Sequence, residues 1–128
     1  MLSSAALGLV LALTVTPSLA DKVAVLRGLD KITARVTTFE VPVGTTARFG
    51  TLSITLDDCN KRPPEEPPET TAFLEIDETR PGESRSTRLF TGWMFASSPA
   101  LSALEHPVYD VWVIDCKIVS AESSAPAQ

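Results

Sequence analysis

The sequence predicts an all-β fold, a small sandwich-like or partly open barrel domain with one short helix, and three observations point there. Turn residues recur at short intervals beyond Ala20, the segments between them are rich in Val, Ile, Thr and Phe, and several segments alternate apolar with polar side chains. Alternation with period two is the mark of a half-buried strand, because successive side chains leave opposite faces of a sheet. No internal repeat is detectable.

Before the first strand comes an apolar run over residues 5–15, which stops at Thr16-Pro17 and closes on Ser18-Leu19-Ala20. Small residues at the third and first positions before a cut are the layout of an export signal, so residues 1–20 are expected to be a cleaved signal peptide. No basic side chain precedes the run, and the rival expectation is an uncleaved membrane anchor, since ~20 residues suffice to cross a bilayer. Pro17 favours cleavage because it interrupts a helix. The remainder supports one domain with a modest core over residues 21–119, followed by a small, polar, disordered tail over 120–128.

Within the domain, residues 32–43 read as a long strand that Pro42 confines to a sheet edge or a strand end, with Gly44 turning the chain. Residues 51–58 place Leu52, Ile54 and Leu56 on one face and Thr51, Ser53, Thr55 and Asp57 on the other. The Pro/Glu-rich stretch 63–69 builds no core and is expected as an extended exposed loop. Residues 70–77 are the next strand, with Ala72, Leu74 and Ile76 inward, and residues 79–84 turn around Pro81-Gly82. Residues 88–96 carry Leu89, Trp93 and Phe95 against Phe90, Gly92 and Met94, which predicts a central strand with two apolar faces. A helix is expected at 99–105, capped by Ser98, begun by Pro99 and barred by Pro107. Residues 108–118 form the last strand, with Val108, Trp112, Ile114, Cys116 and Ile118 opposite Tyr109, Val111 and Val113, and buried on both sides.

Export sets the reading of Cys59 and Cys116, which are expected as a disulfide in an oxidising compartment. A redox pair or two free thiols is the alternative, but there is no Cys-x-x-Cys spacing and neither flank is strongly basic. Cys59 has the parity of the polar face of its strand, so a link across a sandwich requires a bulge or twist near Asp57-Asp58.

The net charge of −5 repels phosphate backbones and anionic headgroups. No nucleic-acid partner is expected, and membrane contact only through an uncleaved signal. His106 is the only histidine; Asp57, Asp58, Asp110 and Asp115 show no metal-ligand spacing, so neither metal nor cofactor is predicted. His106 is expected at a helix end, near the terminal carbonyls. In a regular strand Asp57 and Asp58 point to opposite faces, which spoils a shared acid–base site. There is no Gly-x-Ser-x-Gly elbow and no glycine-rich phosphate cradle. No catalytic residue is assigned. The alternative is a small hydrolase using His106 with Asp57, Asp58 or Asp110, which requires a pocket collecting them.

Trp93, Trp112 and Tyr109 are the aromatic residues of interest, and large rings in an all-β domain ordinarily fill the core. The functional reading leaves a ring exposed beside Gly92 as a platform for a partner strand, a lipid tail or a sugar face. Trp93, Tyr109 and Trp112 are therefore the candidate binding residues, with the 63–69 loop as a docking arm.

The blocks Leu29-Asp30-Lys31-Ile32-Thr33-Ala34-Arg35, Phe49-Gly50-Thr51-Leu52, Leu56-Asp57-Asp58-Cys59, Phe90-Thr91-Gly92-Trp93-Met94-Phe95-Ala96-Ser97-Ser98-Pro99 and Glu105-His106-Pro107-Val108-Tyr109-Asp110-Val111-Trp112 resemble the proteobacterial domain of unknown function 2155. The resemblance spans residues 29–117. It implies a small exported bacterial protein with the same two-cysteine arrangement and no assigned activity, cofactor or catalytic residue. The expectation is a periplasmic, non-catalytic binding or envelope-accessory module with a protein partner in the cell envelope. A structural subunit of an envelope complex is the further alternative; it would expose a sheet edge or an apolar patch.

Overall fold

The computed structural model describes residues 21–119 and, before them, Gly8 alone; the expected signal peptide and tail otherwise lie outside the described residues. Eight strands and one helical turn follow in order among the described residues. They are β1 (Asp21–Asp30), β2 (Arg35–Pro42), β3 (Thr46–Phe49), β4 (Leu52–Lys61), β5 (Thr70–Glu78), β6 (Thr87–Phe95), α1 (Pro99–Ser102), β7 (Leu104–Glu105) and β8 (Tyr109–Val119). Two antiparallel four-stranded sheets result, ordered β2-β1-β8-β7 and β3-β4-β5-β6 and not closed into a barrel. The all-β expectation holds.

The core lies between the sheets and is built by the predicted alternation: Leu52, Ile54 and Leu56 of β4 and Ala72, Leu74 and Ile76 of β5 are fully buried. Ala24, Leu26, Val41, Val111 and Val113 meet them from the other sheet. Val43-Gly44-Thr45 carries the chain from one sheet to the other, with Gly44 at φ 83° and its N–H donating to Leu56 O at 2.8 Å. Pro42 ends β2, an edge strand, as its missing amide hydrogen requires.

Several expectations are corrected. Residues 21–30 form β1, a strand not anticipated, and it lies between β2 and β8. Its continuous Val23-Ala24-Val25-Leu26 run is buried on both faces. On the outer face Glu40 of β2 and Lys117 of β8 pair at 2.5 Å across β1, where they sit opposite Val25 and Val23 respectively. The strand expected at 32–43 begins only at Arg35, because the Asp30 carboxylate accepts N–H bonds from Ile32 and Thr33 at 2.9 and 3.2 Å and closes a turn.

β6 is an edge strand rather than a central one. Met94 faces inward at 1% exposure, while Trp93 and Phe95 face outward at 44% and 41% because no further layer covers them. β8 likewise buries one face only: Val111 and Val113 are inside, Trp112 is half-buried and Ile118 is exposed. The helix is a single turn, Pro99–Ser102, and Leu104–Glu105 leaves it to pair with Val111 and Asp110. Burying Leu104 in that ladder ends the helix before Pro107 can. Ser98 forms no side-chain cap; Ser102 Oγ instead donates to Ser98 O at 3.0 Å.

Cys59 and Cys116 form a disulfide between β4 and β8, joining the two sheets with Cα atoms 6.0 Å apart. Each strand needs a parity change to bring its sulfur inside, and each has one. In β4 the pairing with β5 skips Asp57; in β8 the pairing with β1 skips Ile114. The inward phase thus moves from Leu56 to Cys59 and from Val113 to Cys116. The first bulge sits where the parity argument requires it. It also removes the regular strand that would send Asp57 and Asp58 to opposite faces, since Asp57 is the bulged residue and Asp58 pairs with Phe73.

Reduction of the disulfide is expected to lower the unfolding free energy by about 4 kcal/mol, from the loop-closure entropy released to the unfolded chain. Urea unfolding with and without reductant measures this, and the Cys59→Ala/Cys116→Ala chain should match the reduced one.

Candidate functional site

Extending the inward phase of β5 beyond Thr70, Ala72, Leu74 and Ile76 arrives at Glu78, a carboxylate with only 6% exposure. Such a group requires partners. Thr51 Oγ1 donates to Oε2 at 2.9 Å and Arg80 Nε donates to Oε1 at 3.3 Å. His106 Nε2 reaches Oε2 at 2.8 Å from the opposite sheet. Burial pushes the Glu78 carboxyl up, but the hydrogen bonds from Thr51 and Arg80, the charge of Arg80 and, where the ring is protonated, that of His106 prevail and hold it below its ordinary value.

His106 is held on every side. Its backbone N–H donates to Tyr109 O at 2.9 Å. Its carbonyl accepts from Lys31 Nζ, and its Nδ1 accepts from Val108 N–H at 3.0 Å. A ring that accepts at Nδ1 carries its proton on Nε2, so the hydrogen bonds assign the tautomer and leave neither nitrogen free to abstract a proton. The expected partners are elsewhere: the imidazole meets a strand-end glutamate rather than helix carbonyls. Asp58 pairs with Lys22 at 3.3 Å and Asp110 with Lys31 at 2.8 Å, while Asp57 is exposed at the bulge in the middle of β4. The Asp110–Lys31 contact is ionic: Asp110 Oδ1 is shielded from solvent and makes no hydrogen bond of good geometry. The structure does not bring His106 into a hydrogen bond with any of these three aspartates. Glu78 was missed, although a glutamate on the inward phase of an alternating strand was the signal that could have found it.

Tyr109 belongs to the same end of the sandwich. Its ring stacks on His106 at 5.6 Å and meets Phe49 edge-on at 5.3 Å, and Phe49 stacks on Phe39 at 5.7 Å. Two glycines make room for this relay. A Cβ on Gly28 would lie 2.6 Å from the Phe49 ring, and one on Gly50, at φ 58°, would lie 2.2 Å from the Tyr109 hydroxyl. Between the relay and β6 an open cleft of about 540 Å³ has Glu78 in its lining, with Leu89, Leu104 and Tyr109 as walls.

The two tryptophans point away from this cleft, to the outer faces of different sheets. Trp93 lies opposite Phe73 in an edge-to-face contact at 5.3 Å, whereas Trp112 lies opposite Arg27. Trp93, Tyr109 and Trp112 therefore do not form one surface. Beside Trp93 a shallow hollow of about 530 Å³ opens over Gly92, where a Cβ would meet only Phe90 at 4.0 Å. The Pro/Glu loop is exposed and its base is tied, since Arg62 N–H donates to Glu69 O at 3.0 Å. Ser97 donates its hydroxyl and its backbone N–H to the Glu69 carboxylate, and these bonds hold that carboxyl below its ordinary value. Among the described residues no three His, Cys, Asp or Glu side chains are grouped to hold a metal ion, and no helix is long and apolar enough to cross a membrane.

Two outcomes follow at this end. Because the folded-state pKa of Glu78 is lowered, its stabilising contribution is present above the unfolded value of 4.5 and is lost as pH falls through the lower folded value. Urea midpoints measured across that window should fall more steeply in the native chain than in Glu78→Gln. Gly50→Ala should cost at least about 2 kcal/mol, since it combines a left-handed backbone with a clash against Tyr109; thermal unfolding measures it.

A family profile described as "Uncharacterized protein conserved in bacteria (DUF2155)" matches residues 24–116, from β1 to the second cysteine. A curated relative, "Uncharacterized protein RP359" from Rickettsia prowazekii (strain Madrid E), is 35% identical over 88 residues, which are 69% of this chain and 56% of the relative. The chain thus spans little more than half the length of that relative. No solved structure matches. With the profile covering both sheets and both cysteines, the chain belongs to the bacterial family of uncharacterised proteins DUF2155.

Proposed function

We propose that the domain is an exported, periplasmic, non-catalytic binding module, and that its contact surface is the outer face of β6. The observation that carries this reading is the exposure of Trp93 and Phe95, at 44% and 41%, side by side on an edge strand. Phe73 of β5 backs Trp93 and leaves part of the indole to solvent. The strand itself adds to the surface. Phe95 N–H leaves β5 and takes Ser102 Oγ at 2.9 Å, and ladder alternation sends the N–H groups of Trp93 and Thr91 toward the same free edge. A protein partner in the cell envelope meets both features, aromatic side chains and an open backbone edge. Tyr109 enters as packing within the relay, and Trp112 stays as a separate, half-buried contact on the other sheet.

The periplasmic location rests on the apolar run that closes at Ser18-Leu19-Ala20 and on a buried disulfide suited to an oxidising compartment. A non-catalytic role is supported by the engagement of both nitrogens of the only imidazole.

A photo-cross-linking side chain at Phe95 in intact cells tests the surface. It should capture a discrete envelope partner, and Trp93→Ser should abolish capture while changing stability by less than about 0.5 kcal/mol. Undiminished capture by Trp93→Ser, or a large stability loss, would assign Trp93 to packing alone. Mass spectrometry of the protein from native cells should find a chain beginning at Asp21.

A further inference from the structure

We propose that the cleft at the histidine end is a second binding site, independent of the β6 face, and that its ligand is a primary alkylammonium on an apolar stem. Its floor is the Glu78 carboxylate. That carboxylate is buried, yet its Oε1 partner Arg80 is 69% exposed, so Oε1 is approached from the open side of the cleft.

The two oxygens are unequally served. Oε2 accepts from both Thr51 and His106 at 2.9 and 2.8 Å, while Oε1 holds one long contact of 3.3 Å from Arg80 Nε. A carboxylate oxygen has room for two hydrogen bonds, so acceptor capacity remains where the cleft opens. A guanidinium binds a carboxylate well only as a fork across both oxygens, and here one oxygen is already taken twice. Arg80 is left with a single-point contact. An ammonium is a compact charge with three donors and needs only the one free oxygen.

The walls fit the rest of such a ligand. Leu89, half-buried, and Leu104, at 5% exposure, give apolar contact to a methylene stem. Glu105 at the rim and the net charge of −5 draw a cation in. His106 accepts at Nδ1 from Val108 N–H and turns Nε2 onto Oε2, so both ring nitrogens are engaged away from Oε1. Arg80 is thus an internal competitor, swung into the place of the ligand and released when the ligand arrives. The same chemistry comes from two sources, a lysine side chain of a partner protein or a free diamine.

The test is a titration of the isotopically labelled, disulfide-bonded chain with cadaverine and, separately, with N-acetyl-lysine N-methylamide, following the amide signals of Thr51, Leu89, Leu104 and Tyr109. Saturable shifts are expected with an amine and not with pentanol, its uncharged analogue. Saturation by cadaverine alone identifies a free diamine; saturation by the lysine amide identifies a partner side chain. Arg80→Gln removes the competitor and should tighten binding about fivefold, the scale of one exposed ion pair. Glu78→Gln should abolish binding; should that variant fail to fold, the Arg80→Gln comparison decides. Absence of saturation by either amine in both the native and Arg80→Gln chains overturns the proposal, as does an equal response to pentanol.

Discussion

The covalent tie between Cys59 and Cys116 joins two sheets that are not closed into a barrel, and the backbone of both cysteine strands is bent to permit it. Strict alternation would point one sulfur away from the core on each strand. A single unpaired residue, Asp57 in β4 and Ile114 in β8, corrects the phase at each. A bulge interrupts the ladder, and the same local device restores one bond in both places: Asp58 accepts from Cys59 N–H and Asp115 from Cys116 N–H, each at 2.9 Å. Lysines then hold the carboxylates, Lys22 on Asp58 and Lys61 on Asp115. Burial pushes Asp115 up, but the Lys61 and Cys116 hydrogen bonds and the lysine charges hold it below its ordinary value. The two Asp-Cys pairs are therefore matched halves of one joint.

The opposite end is fastened without covalent chemistry. Glu78 of the β5 sheet is held by His106 of the β8 sheet, and the His106–Tyr109–Phe49–Phe39 relay continues across the gap to β2. A buried carboxylate contributes little net stability once desolvation is counted, but removing a partner is costly because the charge stays behind. Its value here is in register: only one pairing of the sheets brings Glu78, Thr51 and His106 together. The sandwich is set at one end by sulfur and at the other by a polar contact embedded in aromatic rings.

Much of this was legible in the sequence. The alternation in β4 and β5 identified their buried residues one by one, because an antiparallel strand with one wet face writes its orientation into every second position. The parity conflict at Cys59 even located a bulge. What failed were inferences from apolar content alone. β6 carries apolar residues on both faces and reads as central, yet Trp93 and Phe95 stand in solvent; composition cannot separate a covered face from an open one. β1 was missed for the converse reason, since its outer valines are covered by a Glu40–Lys117 pair distant in sequence. The family resemblance implies the two-cysteine arrangement but not the Glu78–His106 contact, which joins residues from different sheets.

The edges of the sheets bear on where function lies. β2 ends at Pro42 and the chain bends away into β3, which is four residues long, and β7 has only two. Short or bent edges of this kind resist pairing with other chains. β6 is different. It runs nine residues with no lysine or proline, and its single arginine turns inward along its own sheet, Arg88 pairing with Glu75 at 3.0 Å and Asp77 at 2.5 Å. Its last residue is covered by Ser102, whose Oγ takes the Phe95 N–H. An edge of that length with aromatic side chains beside it is an aggregation hazard unless something occupies it. β6 is thus the longest of the four edges, ahead of the eight-residue β2, which is why the contact surface proposed above is placed on it, and the Gly92 gap would give a partner strand close access to its backbone.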